Sequence, residues 1–176
     1  MDRNPIRHMF SRAQRQYESD ARGEVKAKDK NATILVIDDS KTQVHLLRNV
    51  LVKEGYRTIA AYNGEQGVEL TQLQRPDLIL MDIVMPVMNG FQATRAIKKA
   101  DATKGIPIIV ISGTEQASDK IWAMRLGAND FMAKPIGRAE LLHKINLLLR
   151  AKRLREARQS LAFDSSTTYK ELDALD

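Results

Sequence analysis

Residues 78–90 read LILMDIVMPVMNG. Four apolar residues end in an aspartate, Asp82. A short loop follows, and Asn89-Gly90 then opens a helical stretch. The same design recurs on either side: ILVI (34–37) runs into Asp38-Asp39, and IIVI (108–111) runs into Ser112. Apolar runs with no polar alternation are what strands buried on both faces of a parallel sheet require.

Outward from these runs the chain alternates two kinds of segment. β-rich stretches are predicted at Thr33–Ile37, Arg57–Ala61, Leu78–Met81, Ile108–Ile111 and Asp130–Ala133. Between them, apolar residues recur at three- and four-residue spacing, the signature of helices. The first helix is predicted from Lys41 to Glu54, with Val44, Leu47, Val50 and Leu51 inward and Gly55 as its left-handed stop. The second follows Asn63, a natural N-cap, and ends before Pro76. The third follows Asn89-Gly90, and the fourth follows Ser112-Gly113-Thr114 and ends at Gly127. The fifth begins near Arg138 and carries Leu141, Leu142, Ile145, Leu148 and Leu149. Five βα units in strict alternation predict a doubly wound α/β fold, a parallel sheet with helices on both faces and right-handed crossovers.

Composition narrows the class. The 176 residues are 43% hydrophobic, enough for one domain with a core plus tails. There is no cysteine, which excludes disulfide and thiolate chemistry and fits a reducing compartment. No apolar run approaches the roughly 18 residues of a membrane span, and the N-terminus lacks the apolar core of a secretory signal. The expected location is cytoplasmic. The formal charge is +6, with eight Lys/Arg against five Asp/Glu in residues 1–30, and five basic residues against one acidic in 150–158. Such surplus could meet an anionic partner, but it also suits solvated helix faces. With no helix-turn-helix, zinc module or stacking aromatics, specific nucleic-acid binding is not expected.

In open parallel sheets, ligands bind beyond the carboxyl ends of the strands. There the sequence places Asp38 and Asp39, Asp82, Ser112 and Lys134-Pro135, from four different strands. Singly, Asp39 or Ser112 could be a helix cap and Lys134 a surface lysine. Jointly they need compensation, because like charges about 4 Å apart repel by about 4 kcal/mol at an effective dielectric near 20. Hard oxygen ligands point to Mg²⁺, with Mn²⁺ able to substitute, and Lys134 adds a positive charge for an incoming anion. A carboxylate in that setting can act as a nucleophile towards phosphorus.

The segments ILVIDDS, LILMDIVMPVMNG, PIIVISG and GANDFMAKP together resemble the receiver domain of bacterial response regulators, over residues 33–150. The resemblance implies a flavodoxin-like fold with strand order 2-1-3-4-5. It implies Asp82 as phosphoacceptor, Asp39 as direct metal ligand, Asp38 acting on the metal through water, and the Val84 backbone carbonyl as a further ligand. Lys134 and Ser112 would contact phosphoryl oxygens, and the Lys134-Pro135 bond would be cis. The donor would be a sensor histidine kinase or a phosphotransfer protein. The output would pass through the face of the fourth helix, fifth strand and fifth helix, with Phe131 as the aromatic that turns inward. Phe131 stands where the family more often has tyrosine, so a plain core phenylalanine is the competing reading. The protein would be a switch more than a turnover enzyme.

LMDIVMPVMNGFQATRAIKK and SDKIWAMRLGANDFMAKP, with Trp122, look most like single-domain regulators of type IV pilus twitching motility and chemotaxis-like signalling. Trp122 as a half-buried packing residue is the plain alternative. The expected domains are a basic amphipathic extension at 1–31, the receiver at 32–150, and a helical extension with polar tail at 151–176. In the first, Ile6, Met9, Phe10, Ala13 and Tyr17 share one helical face. In the last, Leu147, Leu154 and Leu161 recur every seven residues, which suits a helical linker or a homodimer seam. Two further readings stay open: the receiver portion of a larger regulator with an output domain such as a nucleotide cyclase, and a phosphorylation-independent adaptor.

Overall fold

The structure is a computed structural model that describes residues 31–113 and 116–172, with side chains described to residue 160. The predicted amphipathic helix in residues 5–20 lies outside the described residues, as does the Leu161 side chain. The elements run β1 (Thr33–Ile37), α1 (Lys41–Lys53), β2 (Arg57–Ala61), α2 (Gly64–Gln74), β3 (Leu78–Asp82), α3 (Gly90–Lys99), β4 (Ile108–Ser112), α4 (Ala117–Arg125), β5 (Asp130–Ala133) and α5 (Arg138–Leu172). The five strands form one parallel sheet ordered β2-β1-β3-β4-β5.

Alternate strand residues feed two cores. On one face Ile34, Val36, Leu78, Leu80, Ile109 and Ile111 pack beneath α1 (Val44, Leu47, Leu51) and α5 (Leu141, Ile145, Leu149). On the other, Leu35, Ile37, Ile79, Met81, Ile108 and Val110 meet Ala93 and Ile97 of α3 and Ala123 of α4, with Val68 and Leu70 of α2 at the margin. The sheet therefore buries both faces, which accounts for its unbroken apolar strands. Val50, predicted inward, is half-buried at the edge of α1.

Local signals set the boundaries. Ser40 caps α1 by accepting from Gln43 N–H, Asn63 caps α2, and Asn89 with Gln92 closes a reciprocal capping box on α3. Gly55 has φ 91°, the left-handed stop predicted after α1. Two strands exceed prediction by one residue, because the ladders continue to Asp82↔Ile111 and Ser112↔Ala133. The fourth helix is shorter than predicted, spanning Ala117–Arg125. Its last turn tightens through Gly127 N–H to the Met124 carbonyl, an i→i+3 bond, before Gly127 reverses the chain.

Candidate functional site

The carboxyl ends of β1, β3, β4 and β5 bring the predicted residues together. Asp38 and Asp82 are 3% and 4% exposed, whereas Asp39 faces solvent. One carboxylate oxygen from each of the three lies within 4.8 Å of the others. Lys134 Nζ reaches Asp82 Oδ1 at 2.7 Å and Asp38 Oδ2 at 3.1 Å. Asp38 Oδ1 also accepts the Ser40 N–H at 2.8 Å, so Asp38 braces the turn into α1. Asp39 is not the cap of α1; that role falls to Ser40.

The frame around Asp82 is tight. The Val84 N–H donates to its carboxylate. α3 begins so close behind it that a Cβ on Gly90 would overlap the Asp82 carbonyl, and Gly90 N–H bonds the Ile83 carbonyl at 2.9 Å. Lys134 is held by its own N–H on the Ser112 carbonyl at 2.7 Å, and the Lys134-Pro135 bond is cis.

Three carboxylates face one ammonium. Burial pushes the Asp82 carboxyl up, and repulsion from Asp38 adds to this; the hydrogen bond and charge of Lys134 and the Val84 N–H oppose it without prevailing. For Lys134, burial works against the charge, but hydrogen bonds to Asp82 and Asp38 outweigh it and hold the ammonium above its ordinary range. One cation shared by two buried acids is favoured, while the acid it serves remains short of positive charge. The donor set is all oxygen and negatively overcharged, which suits a hard divalent cation.

The other predicted residues lie around this core. Ser112 is 1% exposed, and its hydroxyl donates to Asp119 Oδ2 at 3.0 Å. It does not cap α4, whose N-cap is Gln116. Phe131 is partly buried against the second core. Val84 exposes its side chain beside Asp82. Trp122, predicted half-buried as its plain alternative, is 55% exposed on α4 and stacked by the Arg125 guanidinium at 5.9 Å. Sequence reasoning missed Asp119, although an acidic residue in the first turn of the helix after Ser112 was the available signal. It also missed Lys98, whose ammonium donates to the carbonyls of Lys104 and Ile106 and to Asn129 Oδ1 and so braces the loop before β4.

Residues 34–146, more than half of the chain, match the response regulator receiver domain. The chain belongs to that family. Among curated relatives, Protein PilH of Pseudomonas aeruginosa is 45% identical over 118 residues, covering 67% of this receiver chain and 98% of PilH. Response regulator PleD of Caulobacter vibrioides is 35% identical over 122 residues, 69% of this chain but 27% of PleD. Among solved structures, a response regulator of Chloroflexus aurantiacus superposes with a TM-score of 0.66 at 29% identity, covering 68% of this chain and 98% of that one. The receiver domain of a Pseudomonas aeruginosa sensor histidine kinase, with a magnesium ion coordinated in its active site cleft, gives 0.64 at 32% identity, with 68% and 98% covered. The receiver fold predicted from the sequence, flavodoxin-like with order 2-1-3-4-5, is the observed one. Among the described residues no helix is long and apolar enough to cross a membrane.

Proposed function

We propose that this receiver accepts a phosphoryl group on Asp82 from a phosphohistidine of a sensor histidine kinase or phosphotransfer protein, and that it acts in the cytoplasm as a switch. The observation that carries the reading is the buried Asp82 carboxylate, with Lys134 on one oxygen and Asp38 and Asp39 within 4.8 Å. A carboxylate oxygen of Asp82 attacks phosphorus as the P–N bond to the donor imidazole breaks. Mg²⁺, or Mn²⁺ in its place, would be held by Asp39, Asp82, the Val84 carbonyl and, through water, Asp38; when bound it offsets charge on the transferred group. Lys134 would keep one phosphoryl oxygen, and Ser112 would bond another. The added charge of roughly −1.5 to −2 then favours a repacked state, with Phe131 turned inward and the α4-β5-α5 face altered for a downstream partner. Similarity to PilH supports a pilus-related pathway.

The test is incubation with Mg²⁺ and acetyl phosphate, read by intact-protein mass. A single phosphoryl adduct is expected and should be absent in Asp82→Asn. A wild-type chain that never gains the adduct, or an Asp82→Asn chain that gains it equally, would sink the reading.

A second reading is favoured by one observation: α5 runs without interruption to Leu172, far past the receiver core. In it the receiver transmits its state along α5 to a further output segment. A phosphorylation-dependent change in hydrogen exchange along residues 150–172 is expected under that reading and not under the first alone.

A further inference from the structure

Ser112 has one hydroxyl proton to give. In this structure the proton goes to Asp119 Oδ2 at 3.0 Å, across seven residues and from a site 1% exposed. Bonds to a carboxylate are roughly twice as strong as neutral ones. The same proton is the one that a phosphoryl oxygen on Asp82 would need. We propose that Asp119 is a latch on the switch: its carboxylate holds the Ser112 hydroxyl in the unphosphorylated protein, and the phosphoryl group must win that hydroxyl from it. This deepens the phosphoacceptor reading above and rests on it.

Three features support a latch rather than an incidental contact. First, Asp119 is the acidic residue in the first turn of α4, and the N-cap Gln116 makes no side-chain capping bond. A carboxylate at that end of a helix is stabilised by the unsatisfied N–H groups, so Asp119 can lose Ser112 without being stranded. The exchange is therefore one of partners and not the burial of a bare charge. Second, the bond ties the end of β4 to the start of α4, the helix that exposes Ile121, Trp122 and Met124. Releasing it loosens the tether on that exposed face, so a hydrogen-bond exchange near Asp82 reaches the surface. Third, no bond to Ser112 needs to break covalently; its proton stays on Oγ and only the acceptor changes. Asp119 is thus a positioning residue acting through Ser112.

Trp122 is the single tryptophan of the chain and lies three residues beyond Asp119. The experiment titrates the whole chain with beryllofluoride in the presence of Mg²⁺, following Trp122 fluorescence and, independently, the fluorine NMR signal of the bound ion. Asp119→Ala and Asp119→Asn are expected to tighten apparent beryllofluoride affinity about tenfold, the order lost with one charge-assisted hydrogen bond. In a Ser112→Ala background the same substitutions should change nothing. Unfolding without ligand gives a second readout: Ser112→Ala and Asp119→Ala should lower the midpoint, and the double variant should fall no further than the worse single one. Unchanged affinity in both Asp119 variants overturns the latch. So does equal tightening in the Ser112→Ala background, which would mark general charge repulsion. If wild type neither binds beryllofluoride nor takes a phosphoryl group, the Asp82 reading fails and the latch with it. Wild-type binding with unaltered Asp119 variants refutes the latch alone.

Discussion

Val87 has φ 68°, in the left-handed region that β-branched residues avoid. It is the middle of a three-residue turn closed by Met88 N–H on the Pro86 carbonyl at 2.8 Å, between β3 and the start of α3. Its side chain is 78% exposed, so no packing offsets the backbone cost. Asparagine tolerates this conformation better because its short polar side chain bonds locally. Val87→Asn is therefore expected to raise stability by about 1 kcal/mol, measured as a higher urea midpoint at unchanged slope. Glycine should gain less, since it also frees the unfolded chain. Unchanged or lower stability in both variants would show that the turn carries no strain.

α5 illustrates what an element can hide. Its inward residues Leu141, Ile145 and Leu149 were legible from spacing, and all are at most 3% exposed. Past the core the apolar stripe ends, and the helix instead docks through polar residues. Lys152 Nζ bonds Asp77 Oδ1 at 2.8 Å, and Arg155 Nη2 donates to the Gly105 carbonyl at 2.6 Å. Asp77 Oδ2 in turn accepts the Thr33 N–H, so α5 is pinned at the amino edge of β1 and β3. Leu147 and Leu154, the heptad pair, stay 57% and 42% exposed. Burial pushes the Asp77 carboxyl up, but the Lys152 bond and the Thr33 N–H outweigh it and leave the carboxyl below its ordinary 3.8. A depressed carboxylate contributes stability that is complete above 3.8 and is lost as pH falls through the folded value. Lys152→Ala should thus cost about 1 kcal/mol at neutral pH, the upper end for a partly exposed pair. Wild type and variant should converge in acid. Amides of residues 150–158 should exchange faster in the variant; protection equal to wild type would mean the pair does not pin the helix.

The charge balance at the carboxyl edge belongs to the molecule as a whole, because Lys134 meets an Asp38 that lies 96 residues away in sequence. Asp82, held above 3.8, costs stability when ionised, and that cost fades as pH falls towards 3.8. Lys134, held above 10.5, contributes stability that is complete below 10.5 and is lost as pH climbs through the folded value. Lys134→Met leaves the buried acids without their cation. The expected loss is about 3 kcal/mol at pH 7, seen in thermal unfolding without divalent ions. It should shrink as pH falls and Asp82 takes up its proton, and millimolar Mg²⁺ should recover part of it. A deficit independent of both pH and Mg²⁺ would mean that Lys134 stabilises by packing and not by charge.

Much could be settled before any coordinates. Unbroken apolar runs declare strands covered on both faces, and turn residues such as Asn63, Asn89 and Gly55 declare where helices start and stop, since these are local facts of burial and backbone geometry. That Asp38, Asp39, Asp82, Ser112 and Lys134 follow strands placed them on one edge of the sheet. Distances and partners needed the folded chain. Local sequence left open whether Asp39 or Ser40 caps α1 and which acceptor takes the Ser112 proton, and it did not tell that Trp122 lies open to solvent or that α5 is pinned through Asp77 and Gly105. Each of these is a choice among competing partners, and a polar side chain makes that choice only when the packing of distant elements sets what lies within about 3 Å of it.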